Sequence, residues 1–282
     1  MLEQLSKDEI AELEKTANDI RISVLKMIYN AKSGHPGGNL SAVELMLTLY
    51  KKILKHNSLG KMYKERDRFV LSKGHGSATY YAVLAEEGYI PKEELMTFRK
   101  LGSKLQGHPS SVACDLVEIS TGSLGQGLSI GCGMALGMKL DNIKSNVYVY
   151  LGDGEMQEGQ VYEAMMNAAH HKLDNLIAIV DRNYYQIDGN TECVKALDSI
   201  EEKFKSFGWQ TLTVDGHDIQ KIYETYIKAN KLLAENAKPV AIIANTVKGK
   251  GVPFMENTSA WHGKVPNEEQ FKEAIMALGG EI

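Results

Sequence analysis

The residues of this chain best suited to chemistry lie between Gly152 and Asn183, in the run GDGEMQEGQVYEAMMNAAHHKLDNLIAIVDRN. A short apolar segment, Tyr148 to Leu151, leads into Gly152-Asp153-Gly154. A helix is predicted over Gly159 to His171. A second apolar strand, Leu176 to Val180, leads into Asp181-Arg182-Asn183. Adjacent strand ends of one parallel sheet would bring Asp153 and Asn183 side by side. A carboxylate and an amide oxygen are hard ligands, suited to Mg²⁺ or Ca²⁺ held together with phosphate oxygens and water. The two glycines permit a tight turn and close approach of backbone to a ligand. A lone GDG is accounted for by an ordinary strand-helix-strand unit; the asparagine at the next strand end makes the pattern more specific.

Histidines form a second set. Four of the eight sit in glycine-flanked contexts: His35 in SGHPGG, His75 in KGHGS, His108 in QGHPS and His262 in WHG. A single loop histidine is most often a surface or packing residue. Four of them, far apart in sequence, fit convergence on one cleft. Imidazole titrates near neutral pH, so it can both donate a hydrogen bond and shuttle a proton. His56, His170, His171 and His217 lie in no such context and are expected to be structural or exposed. Lys248, in KGKG, reads equally as a flexible basic loop or a ligand contact. Glu158 reads as a first-turn helix glutamate favoured by the helix dipole.

These residues need elements to position them. Ser6 and Glu9 form a capping box that opens a helix to about Ala31, with Ile10, Leu13, Ala17, Ile20, Val24 and Met27 on one face. Ser33 to Gly38 is a glycine-rich loop, followed by a helix from about Ser41 to Ile53. Phe69 to Ser72 is a short strand and Gly76 to Glu87 a helix. Gly125 to Leu140 is a helix rich in glycine and alanine, which implies close packing on another backbone. Further strands are Gln210 to Val214 and Val240 to Asn245, with an amphipathic helix, Ile219 to Ala234, between them. Strands alternating with helices predict an α/β fold: a doubly wound, mostly parallel sheet with helices on both faces. Ligands of such sheets lie beyond the carboxyl ends of the strands, where the motifs fall. No linker or repeat divides residues 1–282, so a single domain with a loop-rich C-terminal extension is expected.

The run from Gly152 to Asn183 resembles a thiamine diphosphate motif. Five further segments accompany it: SGHPGG (Ser33 to Gly38), RDRFVLSKGHGS (Arg66 to Ser77), QGHPS (Gln106 to Ser110), TGSLGQGLSIGCGMA (Thr121 to Ala135) and KGKGVPFMENTSAWHG (Lys248 to Gly263). With them the chain resembles the N-terminal half of transketolase. The resemblance implies thiamine diphosphate and Mg²⁺ as cofactors, with Ca²⁺ or Mn²⁺ able to substitute. It implies Asp153, Asn183 and the backbone oxygen of Tyr185 as metal ligands. Gly154, Glu155 and Lys248 belong to the diphosphate side, and Gly122, Ser123 and Leu124 to the aminopyrimidine side. Many family members carry proline where this chain has Ser123. His75 and His262 approach the cofactor, and His35, His108 and His262 face a sugar substrate. The residue matching Glu158 lies at a subunit interface, near the acid that activates the cofactor.

The resemblance covers only the diphosphate-binding domain; the pyrimidine-binding and C-terminal domains have no counterpart here. It therefore implies a split enzyme, an α₂β₂ assembly completed by a C-terminal subunit, that moves a two-carbon ketol unit from a ketose phosphate to an aldose phosphate. The native-looking ends favour a natural subunit over a truncated one. Alternatives are a 1-deoxyxylulose-5-phosphate synthase-like or 2-oxo acid dehydrogenase-like subunit, a transketolase for an unusual ketose, or a non-catalytic cofactor-binding chain. The histidine set favours transketolase.

Bulk properties agree. The 282 residues are 43% hydrophobic, enough for a large core. The net charge of −4, with 32 basic and 36 acidic residues interspersed, does not describe a nucleic-acid surface. Met1 to Ile10 lacks the features of a signal peptide, and no segment is apolar for the ~18 residues a membrane span requires. Cys114, Cys132 and Cys193 have no CxxC spacing, which points away from zinc and disulfides and toward the cytoplasm.

Overall fold

The computed structural model describes residues 4–57 and 60–281; Met1 to Glu3, part of the N-terminal segment read above, lie outside them. Five parallel strands form one sheet in the order β1-β2-β3-β5-β4: β1 Arg68–Leu71, β2 Val147–Gly152, β3 Leu176–Arg182, β4 Gln210–Asp215 and β5 Val240–Asn245. Every residue of β2 and β3 is buried, as expected of strands covered on both faces. Alternate side chains point to opposite layers. Tyr148, Tyr150, Ile177, Ile179 and Ile242 pack into one core. Val147, Val149, Leu151, Ala178, Val180 and Ile243 pack into the other.

The first core is covered by α1 (Lys7–Ala31), α3 (Val43–Thr48), α4 (Ser77–Glu86) and α9 (Ile219–Asn236). The second is covered by α5 (Gln126–Leu140), α6 (Gly159–His170) and α8 (Ile200–Ser206). The doubly wound α/β fold is therefore as the alternation of elements implies. Helix α1 begins at the expected capping box: Ser6 Oγ accepts from Glu9 N–H at 3.2 Å, and Glu9 accepts from Ser6 N–H at 2.9 Å.

Several elements differ from the sequence reading. Pro36–Leu40, overlapping the expected glycine-rich loop Ser33 to Gly38, is a buried helical turn, α2, with proline at its start. The expected Ser41 to Ile53 helix is a short α3 that widens into a π-helical turn at Leu49–Ile53. The loop-rich C-terminal region carries α10 (Glu268–Ala277), opened by a capping box between Asn267 and Gln270. Helix α8 is opened by Ser199, whose hydroxyl accepts from Glu202 N–H at 3.1 Å. Both caps are legible in sequence as Asn-x-x-Gln and Ser-x-x-Glu. α7 spans Thr191–Lys195.

The glycines of α5 explain its close approach to the sheet. A Cβ at Gly127 would stand 2.2 Å from Ser72 Oγ, and one at Gly131 would stand 2.4 Å from Val149 Cγ2. At Gly133 it would meet nothing within 4 Å. Gly131→Ala is expected to cost about 1–3 kcal/mol by overpacking, whereas Gly133→Ala should stabilise the chain by about 0.5–1 kcal/mol through helix propensity. Thermal melts of the two variants check this; equal effects would refute the packing account.

Candidate functional site

The carboxyl ends of β1, β2, β3 and β5 open into one cleft of about 360 Å³. Gly152 pairs with Asp181 in register, so Asp153 and Asn183 leave adjacent strands together, as the sequence predicted. Asp153 is 1% exposed. Its carboxylate accepts from Tyr184 N–H at 2.5 Å and Gly154 N–H at 2.8 Å, with Arg182 at 3.5 Å. Asn183 Oδ1 accepts from Tyr185 N–H at 3.1 Å, and the Tyr185 carbonyl accepts from Lys248 Nζ at 3.3 Å. Three oxygens of the predicted ligand set thus share one end of the cleft.

The electrostatics of this end are unbalanced. Burial, then the neighbouring Asp181, pushes Asp153 up to about 6 despite Arg182. Burial, then Lys73, brings Lys248 down to about 8. Lys248 is 1% exposed, and among the described residues it has no carboxylate within ion-pair distance. A buried carboxylate that resists ionisation suits a cation, and a buried ammonium without a carboxylate suits an anion. Among the described residues no group of three His, Cys, Asp or Glu side chains could hold a metal. An Asp–Asn–carbonyl set accordingly fits a hard cation only if ligand oxygens complete its shell.

Beside these oxygens, with Lys248 within 3.3 Å of both the Tyr185 carbonyl and His262 Nδ1, the four motif histidines converge around His35. Its ring centroid lies 5.4 Å from that of His75, 6.0 Å from His108 and 5.6 Å from His262, and His75 lies 5.3 Å from His262. Burial lowers His35 to about 4, helped by Arg99, and lowers His262 to about 3, helped by Lys248. Burial and Lys73 hold His75 well below the usual range; burial and Arg99 lower His108. All four are neutral at pH 7. Arg99 lies 3.4 Å from His35 Nδ1, and Lys248 lies 3.3 Å from His262 Nδ1. Neither cation can accept a hydrogen bond, so each Nδ1 is the acceptor and each Nε2 carries the proton. His35 and His262 are thereby set as Nε2–H donors.

The remaining predicted residues divide by position. Gly122, Leu124, Gly154, Glu155 and Glu158 line the cleft, whereas Ser123 is exposed and does not. Glu155 has both carboxylate oxygens engaged by protein donors. Its Oε1 accepts from Ser72 Oγ and Gly125 N–H, and its Oε2 accepts from Gly152 N–H. It brackets the turn before α5, where Gly125 has φ +83° and lies so close to Glu158 that a Cβ would approach 2.7 Å. Glu158 itself is exposed at the mouth, ahead of α6.

Sequence reasoning missed Lys73, Asp181 and Arg99. Lys73 and Asp181 are 1% and 0% exposed and form an ion pair under the cleft floor. Asp181 also accepts from Ser41 and Thr246, and Lys73 donates to the Gly38 carbonyl at 2.7 Å. The signal for Lys73 is its place in the KGHG motif, directly between the end of β1 and a cleft histidine. His56, His170, His171 and His217 do not line the cleft, as expected.

A sequence model described as the thiamine diphosphate binding domain of transketolase matches residues 13–281. The chain belongs to the transketolase family. Its relatives include one of the subunits of an apulose-4-phosphate transketolase from Phocaeicola vulgatus, 39% identical over 97% of this chain and 96% of the relative. They also include a 6-deoxy-6-sulfo-D-fructose transketolase subunit from Clostridium sp., 40% identical over 98% of this chain and 99% of the relative. Among solved structures, Pichia stipitis transketolase in complex with sedoheptulose 7-phosphate superposes with a TM-score of 0.89 at 34% identity, covering 95% of this chain and 41% of that one. The chain thus spans about two fifths of that transketolase and nearly all of the two subunits. It is a transketolase-type, thiamine diphosphate-binding chain, and its fold is the transketolase α/β fold.

Proposed function

We propose that this chain is the diphosphate-binding subunit of a two-chain transketolase that transfers a two-carbon ketol unit from a ketose phosphate to an aldose phosphate. The observation that carries this reading is the cleft itself. It sets hard oxygen ligands and a buried ammonium beside four neutral imidazoles. Asp153, Asn183 and the Tyr185 carbonyl would hold Mg²⁺, or Ca²⁺ or Mn²⁺ in its place. Lys248 would meet the diphosphate, Gly154 would let it approach the backbone, and Gly122 and Leu124 would border the cofactor ring. Thiamine diphosphate, when bound, supplies the carbon nucleophile.

The side chains supply the rest. His35 and His262 donate from Nε2 to sugar oxygens on which negative charge develops. His108, at the cleft mouth, moves protons between substrate and solvent. His75 packs between His35, His262 and the cofactor region and orients both. Arg99 and Lys248 keep His35 and His262 in their donating tautomers. Glu158, exposed beside the cleft, faces the C-terminal subunit, which carries the pyrimidine-binding domain in an α₂β₂ assembly. A single-domain chain in the cytoplasm fits the three free cysteines, Cys114, Cys132 and Cys193. Among the described residues no helix is long and apolar enough to cross a membrane.

Two full-length relatives are named for unusual sugars, which supports a specialist ketose as the second reading. The test is ketol transfer with thiamine diphosphate and Mg²⁺, by the chain alone and mixed with its candidate C-terminal subunit. Donors are xylulose 5-phosphate, apulose 4-phosphate and 6-deoxy-6-sulfofructose. Turnover only in the mixture is expected. Turnover by the chain alone would overturn the two-chain reading, and preference among donors decides the substrate class.

A further inference from the structure

Behind the cleft, the loop that delivers Lys248 is tied down at nearly every residue. Thr246 donates to Asp181 through its hydroxyl, and its N–H donates to the Arg182 carbonyl at 3.1 Å. The Lys248 carbonyl accepts from Asn257 N–H at 3.0 Å, and Gly249 N–H donates to the Gly37 carbonyl at 3.0 Å. The Lys250 carbonyl accepts from Arg21 Nε at 3.1 Å. Between them, Val247 N–H donates to His217 Nε2 at 2.8 Å.

His217 is no isolated contact. Its Nδ1 lies 3.1 Å from Glu44 Oε2, and Glu44 accepts twice from Arg21 Nη2, at 2.6 and 2.7 Å. Glu44 and Arg21 are both 6% exposed. An Nε2 that accepts from a backbone N–H cannot carry the proton in a neutral ring, so Nδ1 carries it and donates to Glu44. The chain of contacts therefore has one sense: α1 holds α3, α3 holds the imidazole, and the imidazole holds Val247, one residue before the cleft lysine. Arg21 closes the circuit from the other side through Lys250.

We propose that His217 is a positioning residue for the diphosphate site, acting through Val247 to hold Lys248 in the cleft. This rests on the reading of the cleft as a diphosphate site. A buried ammonium with no carboxylate partner keeps its place only if its backbone is held, because in a freer loop it would turn out to water. Residues that support metal ligands from behind typically change metal affinity by about 10–100-fold when removed, and an effect at the lower end of that range is expected for a supported diphosphate contact.

The imidazole offers a clean dissection, because asparagine reproduces its Nδ1 position and glutamine its Nε2 position. His217→Asn keeps a donor to Glu44 and loses the acceptor for Val247. His217→Gln keeps that acceptor. Thiamine diphosphate affinity in the presence of Mg²⁺ is measured by calorimetry on the complex with the C-terminal subunit, and hydrogen exchange of the Val247 amide is followed in parallel. His217→Asn is expected to raise Kd about tenfold or more and to speed Val247 exchange. His217→Gln is expected to stay within about threefold of the parent. Parental affinity in His217→Asn, or equal weakening in both variants, would overturn the proposal. If the parent itself bound no thiamine diphosphate, the diphosphate reading of the cleft would fail first, and the inference with it.

Discussion

Asp153→Asn is expected to abolish Mg²⁺-dependent binding of thiamine diphosphate without destabilising the ligand-free chain at pH 7. The two effects have opposite causes. Removing an outer-shell support of a metal site typically costs 10–100-fold in affinity, and loss of the single carboxylate of an oxygen set should exceed about 100-fold. Without a cation, Arg182 and two amide hydrogen bonds favour that charge, but burial and Asp181 outweigh them. Asp153 is 1% exposed, and burial with Asp181 nearby raises it from 3.8 to about 6. Asparagine keeps one oxygen, for either Tyr184 N–H (on Oδ2) or Gly154 N–H (on Oδ1), so it gives up one hydrogen bond worth about 1 kcal/mol while it removes the larger ionisation cost. A group whose folded pKa is raised binds more protons folded than unfolded between those two values. In the parent it therefore adds stability as pH falls from about 6 to 3.8 and costs stability above 6, by up to about 3 kcal/mol. The variant should melt at or above the parent temperature at pH 7, and the gap should close toward pH 4. Calorimetric titration and melts across that range check both halves. A variant that bound cofactor normally would remove Asp153 from the metal set. A variant that melted well below the parent at pH 7 would show that its hydrogen bonds outweigh its burial.

Lys73→Met is expected to give the largest loss of stability among single changes at the site. Lys73 and Asp181 are 1% and 0% exposed, and removing one partner of such a pair leaves a buried charge unbalanced. The usual cost is about 3–5 kcal/mol, or roughly 10 °C in Tm for a chain of this size. Burial alone would raise Asp181, but Lys73, Thr246 and Ser41 outweigh it and hold the carboxyl below its ordinary value. Without the lysine the balance reverses, so the folded pKa rises above the unfolded one. The variant should then regain stability as pH falls through that raised value. Adding Asp181→Asn removes the stranded charge and keeps partners for the Ser41 and Thr246 hydroxyls, so the double variant should recover at least half of the loss. Melts of the parent, single and double variants check this as a cycle. A double variant no more stable than the single would show that the lysine matters for packing and not for charge.

How much of this was legible in the chain follows from the range of each interaction. Strand periodicity, the Ser6 capping box and the glycines of α5 are local, and they sufficed for the α/β class and for α1, α5, α6 and α9 within a few residues. Asp153 and Asn183 were legible because parallel neighbours share a register, so two strand ends predict two adjacent side chains. The four histidines were legible through their glycine-rich contexts and the family pattern they complete. The helical turn at Pro36–Leu40 was not legible, because its stability comes from tertiary burial and from Gly37 N–H bonding the Trp261 carbonyl at 3.0 Å, not from propensity. Helices α8 and α10, by contrast, carry local capping signals of their own.

Residue types and spacing alone determined that this chain offers hard oxygen ligands, a basic loop and four loop histidines at the carboxyl ends of parallel strands. Only the tertiary structure decided which groups are charged and what holds them. The Lys73–Asp181 pair joins residues 108 positions apart, and the His217–Glu44 contact joins residues 173 apart. No sequence window spans such distances. The neutrality of the imidazoles, the height of the Asp153 pKa and the lowered pKa of Lys248 all follow from burial, and burial exists only once distant elements have packed.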